Sequence, residues 1–175
     1  MHNIEFKCEL RDLGLARATC RSLKATHIIS FDQTDTYFRV PTGRLKKRET
    51  SGEPTEWIFY ERANRAAAKL SHFMIYSEEQ AKERFGTEPL PVWVVVKKRR
   101  ELWMLGNTRI HLDTVEGLGT FLELEALVSR DHNIARCHEA LTSLREAFAP
   151  ILGEAIGLGY SDMLAGDAAD PARQG

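Results

Sequence analysis

In five separate stretches of this chain, ionic side chains recur at every second position while mostly apolar ones fill the positions between. Glu123 and Glu125 alternate with Leu122, Leu124 and Ala126, and Glu5, Lys7 and Glu9 alternate with Ile4, Phe6, Cys8 and Leu10. In the same way Lys98 shares a parity with Arg100, Arg109 and His111 with Asp113, and Lys46 with Arg48. A period of two is the mark of a β-strand, whose successive side chains point to opposite faces. Two folds satisfy it. Either each strand has a solvated outer face, as half-buried antiparallel sheets do, or the strands close into a barrel with the ionic faces inside and helices covering the apolar outside. The barrel requires charge balance. Its candidates are Lys7, Lys46, Arg48, Arg62, Lys98, Arg100 and Arg109 against Glu5, Glu9, Asp113, Glu123 and Glu125, a set of mixed sign.

Helices able to cover such a barrel are present. Asp12 is placed to cap a helix over 12–24, Ser77 to cap one over 77–85 that Gly86 ends, and Ile134, Cys137, Leu141, Leu144 and Phe148 keep helical spacing within 131–151. Strands are expected at 3–10, 26–31, 34–40, 44–49, 56–62, 72–76, 92–105, 108–114 and 120–128, with Gly106-Asn107 as a hairpin turn. Residues 63–70 read as a helical turn or a basic loop. The expected fold class is α+β. Residues 1–164 read as one domain and 165–175 as a flexible tail.

Composition narrows the setting. With 175 residues, 24 Lys+Arg against 25 Asp+Glu and a net charge of −1, the chain suits a single globular domain and lacks the basic excess of a nucleic-acid coat. In Lys97-Lys98-Arg99-Arg100, strand geometry sends Lys97 and Arg99 to the face opposite Lys98 and Arg100. Cys8, Cys20 and Cys137 have no zinc-ligand spacing and read as free thiols in a reducing cytoplasm. The start carries charges and no apolar core of a secretory signal, and the run Val92-Trp93-Val94-Val95-Val96 is far short of the ~20 residues that span a bilayer. A cytoplasmic location is expected, with no membrane or nucleic-acid partner; a homodimer is left open.

Arginine forks and lysines suit polyphosphate oxygens, and clustered carboxylates tolerate that anion when hard cations such as Mg²⁺ or Mn²⁺ lie between. The segment Ile4-Glu5-Phe6-Lys7 resembles the Glu-x-Glu-x-Lys signature of the CYTH superfamily, the triphosphate tunnel metalloenzymes. Asp35-Thr36-Tyr37-Phe38, Gly43-Arg44-Leu45-Lys46-Lys47-Arg48-Glu49, Lys98-Arg99-Arg100, Arg109-Ile110-His111-Leu112-Asp113 and Leu118-Gly119-Thr120-Phe121-Leu122-Glu123-Leu124-Glu125 follow in the family's order. The resemblance implies an eight-stranded antiparallel barrel, a triphosphate tunnel with helices packed outside. It implies Glu5, Glu123 and Glu125 as ligands of Mg²⁺ or Mn²⁺, and Lys7, Lys46, Arg48, Arg62, Arg100 and Arg109 as substrate contacts. Lys98 and Asp113 are the catalytic candidates. Asn3 stands where the signature has its first glutamate, and Glu9 on the same face is a candidate to compensate.

The resemblance implies attack on a phosphorus atom of a triphosphate. Water as the nucleophile makes a triphosphatase acting on inorganic tripolyphosphate, thiamine triphosphate or a nucleoside triphosphate, the favoured reading because no purine-reading motif is evident. A ribose hydroxyl makes an adenylyl cyclase releasing cyclic AMP and pyrophosphate, and a tunnel without turnover makes a triphosphate-binding protein. His111 reads as a hydrogen-bonded barrel histidine or, less commonly, a proton shuttle; Tyr37 and Tyr60 read as wall residues, and Ser161 as a residue that caps or ties down the C-terminal segment.

Overall fold

The computed structural model describes residues 2–61 and 66–166. In chain order the elements are β1 (His2–Leu10), α1 (Leu13–Ser22), β2 (Thr26–Phe38), β3 (Arg44–Thr50), β4 (Glu56–Glu61), β5 (Lys69–Tyr76), α2 (Glu78–Phe85) and β6 (Val92–Leu105). There follow β7 (Thr108–Val115), β8 (Gly119–Leu127), α3 (Ile134–Phe148), a short 3-10 turn, β9 (Leu152–Ala155) and α4 (Tyr160–Ala165). The strands run antiparallel in the order β5-β4-β3-β2-β6-β7-β8-β1, and β5 pairs back onto β1 to close an eight-stranded barrel. One edge of β1 is shared: β5 takes His2–Glu5, and β9 takes over beyond it at Cys8 and Leu10.

The two parities have different surroundings. Ile4, Phe6, Leu122, Leu124, Ile110 and Leu112 face outward from β1, β8 and β7 and pack against Leu141, Leu144 and Phe148 of α3 and Ala16 and Cys20 of α1. A leucine buried this fully contributes about 1.5–3 kcal/mol relative to exposure. Asp12 accepts from the Leu15 amide at 2.8 Å to start α1, and Asn133 accepts from Arg136 at 3.0 Å to start α3. Ser77 and Gln80 form a reciprocal capping box on α2. Gly106, at φ +57°, supplies the first position of the two-residue turn joining β6 to β7.

A second apolar cluster lies at one end of the barrel, where β2, β4 and β7 finish and β3, β5, β6 and β8 begin. Val96, Val115, Phe121 and Tyr37 meet Tyr160 of α4 there. Arg44 pairs with Asp162 at 2.8 Å, and the Lys69 ammonium donates to the Gly157 carbonyl at 2.8 Å, so α4 and the segment before it stop that end.

Several boundaries differ from expectation. β2 is one continuous strand: across the expected gap Asp32 is exposed and Gln33 buried, and both stay paired with β6, while the register irregularities fall elsewhere, at His27/Ile29 and Tyr37/Phe38. β5 starts at Lys69, three residues before the expected His72, since its polar Lys69 and Ser71 are buried on the inner face. Neither β9 nor α4 was expected. Ser161 does not cap: Asp162 accepts from the Gly159 amide at 3.2 Å, while the buried Ser161 hydroxyl has no hydrogen-bond partner. Arg62 and the expected tail from 167 onward lie outside the described residues. Cys8, Cys20 and Cys137 are free and buried, and no helix among the described residues is long and apolar enough to cross a membrane.

Candidate active site

Inside the barrel is a cavity of about 300 Å³. Strand register gives it a carboxylate side. Across β1 and β8 Glu5 stands opposite Glu125 and Lys7 opposite Glu123, and across β7 and β8 Arg109 stands opposite Glu125 and His111 opposite Glu123. One ligand atom each from His111, Glu123 and Glu125 lies within 4.8 Å of the others. Glu5 borders the same cavity, as does Asn3, which is 7% exposed and whose Oδ1 has no hydrogen-bond partner. Oxygen donors of this kind suit a hard divalent cation. Among the described residues, the side chains close enough together to share one ion are His111, Glu123 and Glu125, with Glu5 bordering the same cavity.

Facing them is a basic side built from β3 and β6 around one acid. Asp35 on β2 accepts from Arg48 at 2.8 and 2.7 Å and from Lys46 at 2.9 Å, with the Lys98 ammonium 3.6 Å away. Arg100 forks onto both oxygens of Asp113 at 2.7 Å and also donates to Glu123 at 2.6 Å. The Tyr160 hydroxyl donates to Asp113 at 2.8 Å, and its ring lies 3.9 Å under the Lys7 ammonium.

These contacts set the charge states. Burial pushes the Asp35 carboxyl up, but Arg48, Lys46 and Lys98 together outweigh it and hold the group well below the usual carboxylate range. Burial likewise opposes ionisation of Glu123, and Lys7 and Arg100 overcome it. Glu125 goes the other way, raised by burial and by the adjacent charges of Glu123 and Glu5. Burial and then Arg100 drive the Lys98 ammonium well below its ordinary value, against the opposing pull of Asp35. Burial and Arg100 also depress His111 well below 6.5.

Glu5, Lys7, Lys46, Arg48, Lys98, Arg100, Glu123 and Glu125 thus all border one cavity. Arg109 stands at its rim with its side chain 51% exposed, 3.8 Å from Glu125. Asp113 is fully buried behind Arg100, which takes both of its oxygens. Glu9 is not brought to Asn3: it is exposed at the opposite end of β1, where its carboxylate packs against Gly153 of β9. Lys97 and Arg99 are exposed on the outer face, opposite in direction to Lys98 and Arg100. Tyr37 and Tyr60 are wall residues, as expected.

Two central residues were given no site role from sequence, although Asp35 opens one of the segments that carry the family resemblance. Asp35 sits between Thr34 and Thr36, so its parity lacks the apolar contrast that marked Glu123; its alternation with Gln33 and Tyr37 was the available signal. Tyr160 follows the glycine-rich stretch 153–159, where no periodicity exists to assign it a direction.

Comparison with known proteins agrees with the fold. The sequence profile of the CYTH domain matches residues 1–149. Among solved structures, the PH1012 protein of Pyrococcus horikoshii superposes with a TM-score of 0.72 at 20% identity, covering 91% of this chain and 98% of that one. An adenylate cyclase candidate from Vibrio parahaemolyticus gives 0.72 at 17% identity, covering 94% and 98%. An adenylyl cyclase candidate from Hippeastrum, described as having a dominant triphosphatase activity, gives 0.65 at 13% identity, covering 98% and 99%. A sequence search of curated proteins finds no significant match. The profile match ends at residue 149, before the β9 and α4 segments that extend the sheet and stop one end of the barrel.

Proposed function

The chain belongs to the CYTH domain family, and on that premise we propose that it is a divalent-metal-dependent hydrolase that takes a triphosphate into the barrel and releases orthophosphate. The observation that carries this reading is that Glu5, Glu123 and Glu125 border one internal cavity together with Lys46, Arg48, Lys98 and Arg100, the last of which reaches Glu123 at 2.6 Å. A polyanion bound there meets guanidinium forks on one side and carboxylates on the other, and the carboxylates repel it unless a cation lies between. A bound Mg²⁺ or Mn²⁺ on Glu5, Glu123 and Glu125 supplies charge neutralisation at the phosphoryl oxygens.

The chain's own residues do the rest. Arg48, Lys46, Lys7 and Arg100 bind and orient the phosphate oxygens, and Arg109 at the rim meets the substrate as it enters. Asp113 is a positioning residue: it fixes the Arg100 fork and is itself held by Tyr160. Lys98, held toward its neutral form, accepts the proton that the attacking water gives up. Asp35 keeps the basic cluster assembled before the substrate arrives. The dominant triphosphatase activity described for the Hippeastrum protein of the same fold supports hydrolysis over cyclisation.

A second reading has one specific observation in its favour. The cavity wall from β4 and β5 carries Ile58, Tyr60, Phe73 and Ile75, an apolar surface suited to an organic group beyond the phosphates. An adenylyl cyclase making cyclic AMP and pyrophosphate from ATP would use it. Incubation with tripolyphosphate, thiamine triphosphate and ATP, each with Mg²⁺ and with Mn²⁺, followed by product identification, separates the two. Orthophosphate without cyclic nucleotide is expected; cyclic AMP as the main product from ATP would replace the hydrolase with the cyclase.

A further inference from the structure

His111 is 5% exposed, it stands directly opposite Glu123 in the β7–β8 register, and its Nδ1 has no hydrogen-bond partner. Buried imidazole nitrogens are ordinarily satisfied, so an orphaned one requires a cause. The nearest acid supplies it. Nδ1 lies 3.9 Å from Glu125 Oε1, too far for a hydrogen bond. It is nonetheless within the roughly 4.2 Å that two metal–ligand bonds of ~2.1 Å can span through one ion. The donor atoms of His111, Glu123 and Glu125 all lie within 4.8 Å of one another. Glu123 already receives Arg100 at 2.6 Å, so its pairing does not depend on the imidazole.

We infer that His111 is itself a ligand of the cation site, joining Glu123 and Glu125, and that the site therefore selects a transition-metal divalent ion over Mg²⁺. The inference rests on the reading of the carboxylate cluster as a metal site and adds a nitrogen donor to it. Mg²⁺ holds to oxygen ligands and near-ideal octahedral geometry, whereas imidazole suits first-row transition ions. The preference expected is for Mn²⁺, Co²⁺ or Zn²⁺, with the nitrogen on β7 and the oxygens on β8.

The test measures metal binding, with no turnover involved. The full-length protein, stripped with a chelator, is loaded with Mn²⁺ and studied by pulsed electron paramagnetic resonance for imidazole nitrogen coupling. Calorimetric titrations with Mn²⁺ and Mg²⁺ follow, with and without tripolyphosphate, on the wild type, His111→Gln and His111→Glu. The expected result is nitrogen coupling in the wild type, a loss of about tenfold to a hundredfold in Mn²⁺ affinity in His111→Gln, and a weaker Mn²⁺-over-Mg²⁺ preference in His111→Glu. Oxygen-only coordination in the wild type overturns the inference and leaves the carboxylate site standing. So does coupling that persists unchanged in His111→Gln. A wild type that binds neither ion, with or without tripolyphosphate, overturns the carboxylate site as well. Should either variant fail to fold, the wild-type coupling and its Mn²⁺-to-Mg²⁺ affinity ratio decide.

Discussion

The Tyr160 hydroxyl donates to Asp113 at 2.8 Å, joining the first residue of α4 to a carboxylate on β7 that is already forked by Arg100. A helix placed after the last strand thereby fixes the orientation of a guanidinium in the cavity wall. Tyr160→Phe keeps the ring against Phe121 and removes only the hydrogen bond. Because Arg100 still satisfies Asp113, the expected cost is about 1 kcal/mol in urea unfolding. Tyr160→Ala also removes the ring and should cost about 3–5 kcal/mol.

Asp35 accepts hydrogen bonds from Arg48 and Lys46, with the Lys98 nitrogen 3.6 Å away. Asp35→Asn leaves Arg48, Lys46 and Lys98 without their shared acid, and a loss of about 3–5 kcal/mol is expected. The pH dependence follows from its depressed folded value. Its contribution is complete above the unfolded value of about 3.9 and disappears as pH falls from there through the lower folded value. Wild-type stability should therefore decline with acid more steeply than that of Asp35→Asn. Added tripolyphosphate, a substitute anion, should recover more stability in the variant than in the wild type. Chemical denaturation across pH reads both effects.

How far the fold could be read from the sequence depended on contrast between neighbours. Where an ionic residue alternates with leucine or isoleucine, as at Glu123 and Glu125, the sequence reveals both the strand and the shared face. Only a non-local contact decides which way that face points. It is the β5–β1 pairing, joining Leu70 to Ile4 and Lys69 to Glu5, that turns a sheet into an enclosure. The family resemblance anticipated closure; periodicity left it open. Asp35 was quoted in a family motif, but its inward direction was hidden because its flanking threonines are polar; Tyr160 was hidden because no periodic element contains it. Glu9 was legible as a member of the ionic face of β1, yet the strand is long enough to carry it out of the cavity.

Lys98 and Arg100 share a parity on β6 but are assigned different work. A base must be unprotonated, so if Lys98 receives the proton of water, turnover falls as pH drops through its depressed value. Lys98→Arg keeps a cation in place that cannot deprotonate. Expected are a large fall in kcat, a smaller change in KM, and loss of the lysine limb of the pH profile. Unchanged kcat would reduce Lys98 to a phosphate contact.

Arg48 meets Asp35 with two nitrogens, the geometry it would offer a phosphate. Arg48→Lys keeps the charge and loses the fork. With charge-assisted hydrogen bonds near 1.5–3 kcal/mol, kcat/KM should fall by about tenfold to a hundredfold, mainly through KM. Steady-state kinetics on tripolyphosphate measures this.

The most direct test is diffraction from crystals grown with tripolyphosphate and Mn²⁺. The expected result is phosphate oxygens within hydrogen-bond distance of Arg48 and Arg100 inside the barrel, with metal density against Glu123 and Glu125. A triphosphate bound instead at Lys97 and Arg99 on the outer face, beside an interior filled only by water, would contradict the account.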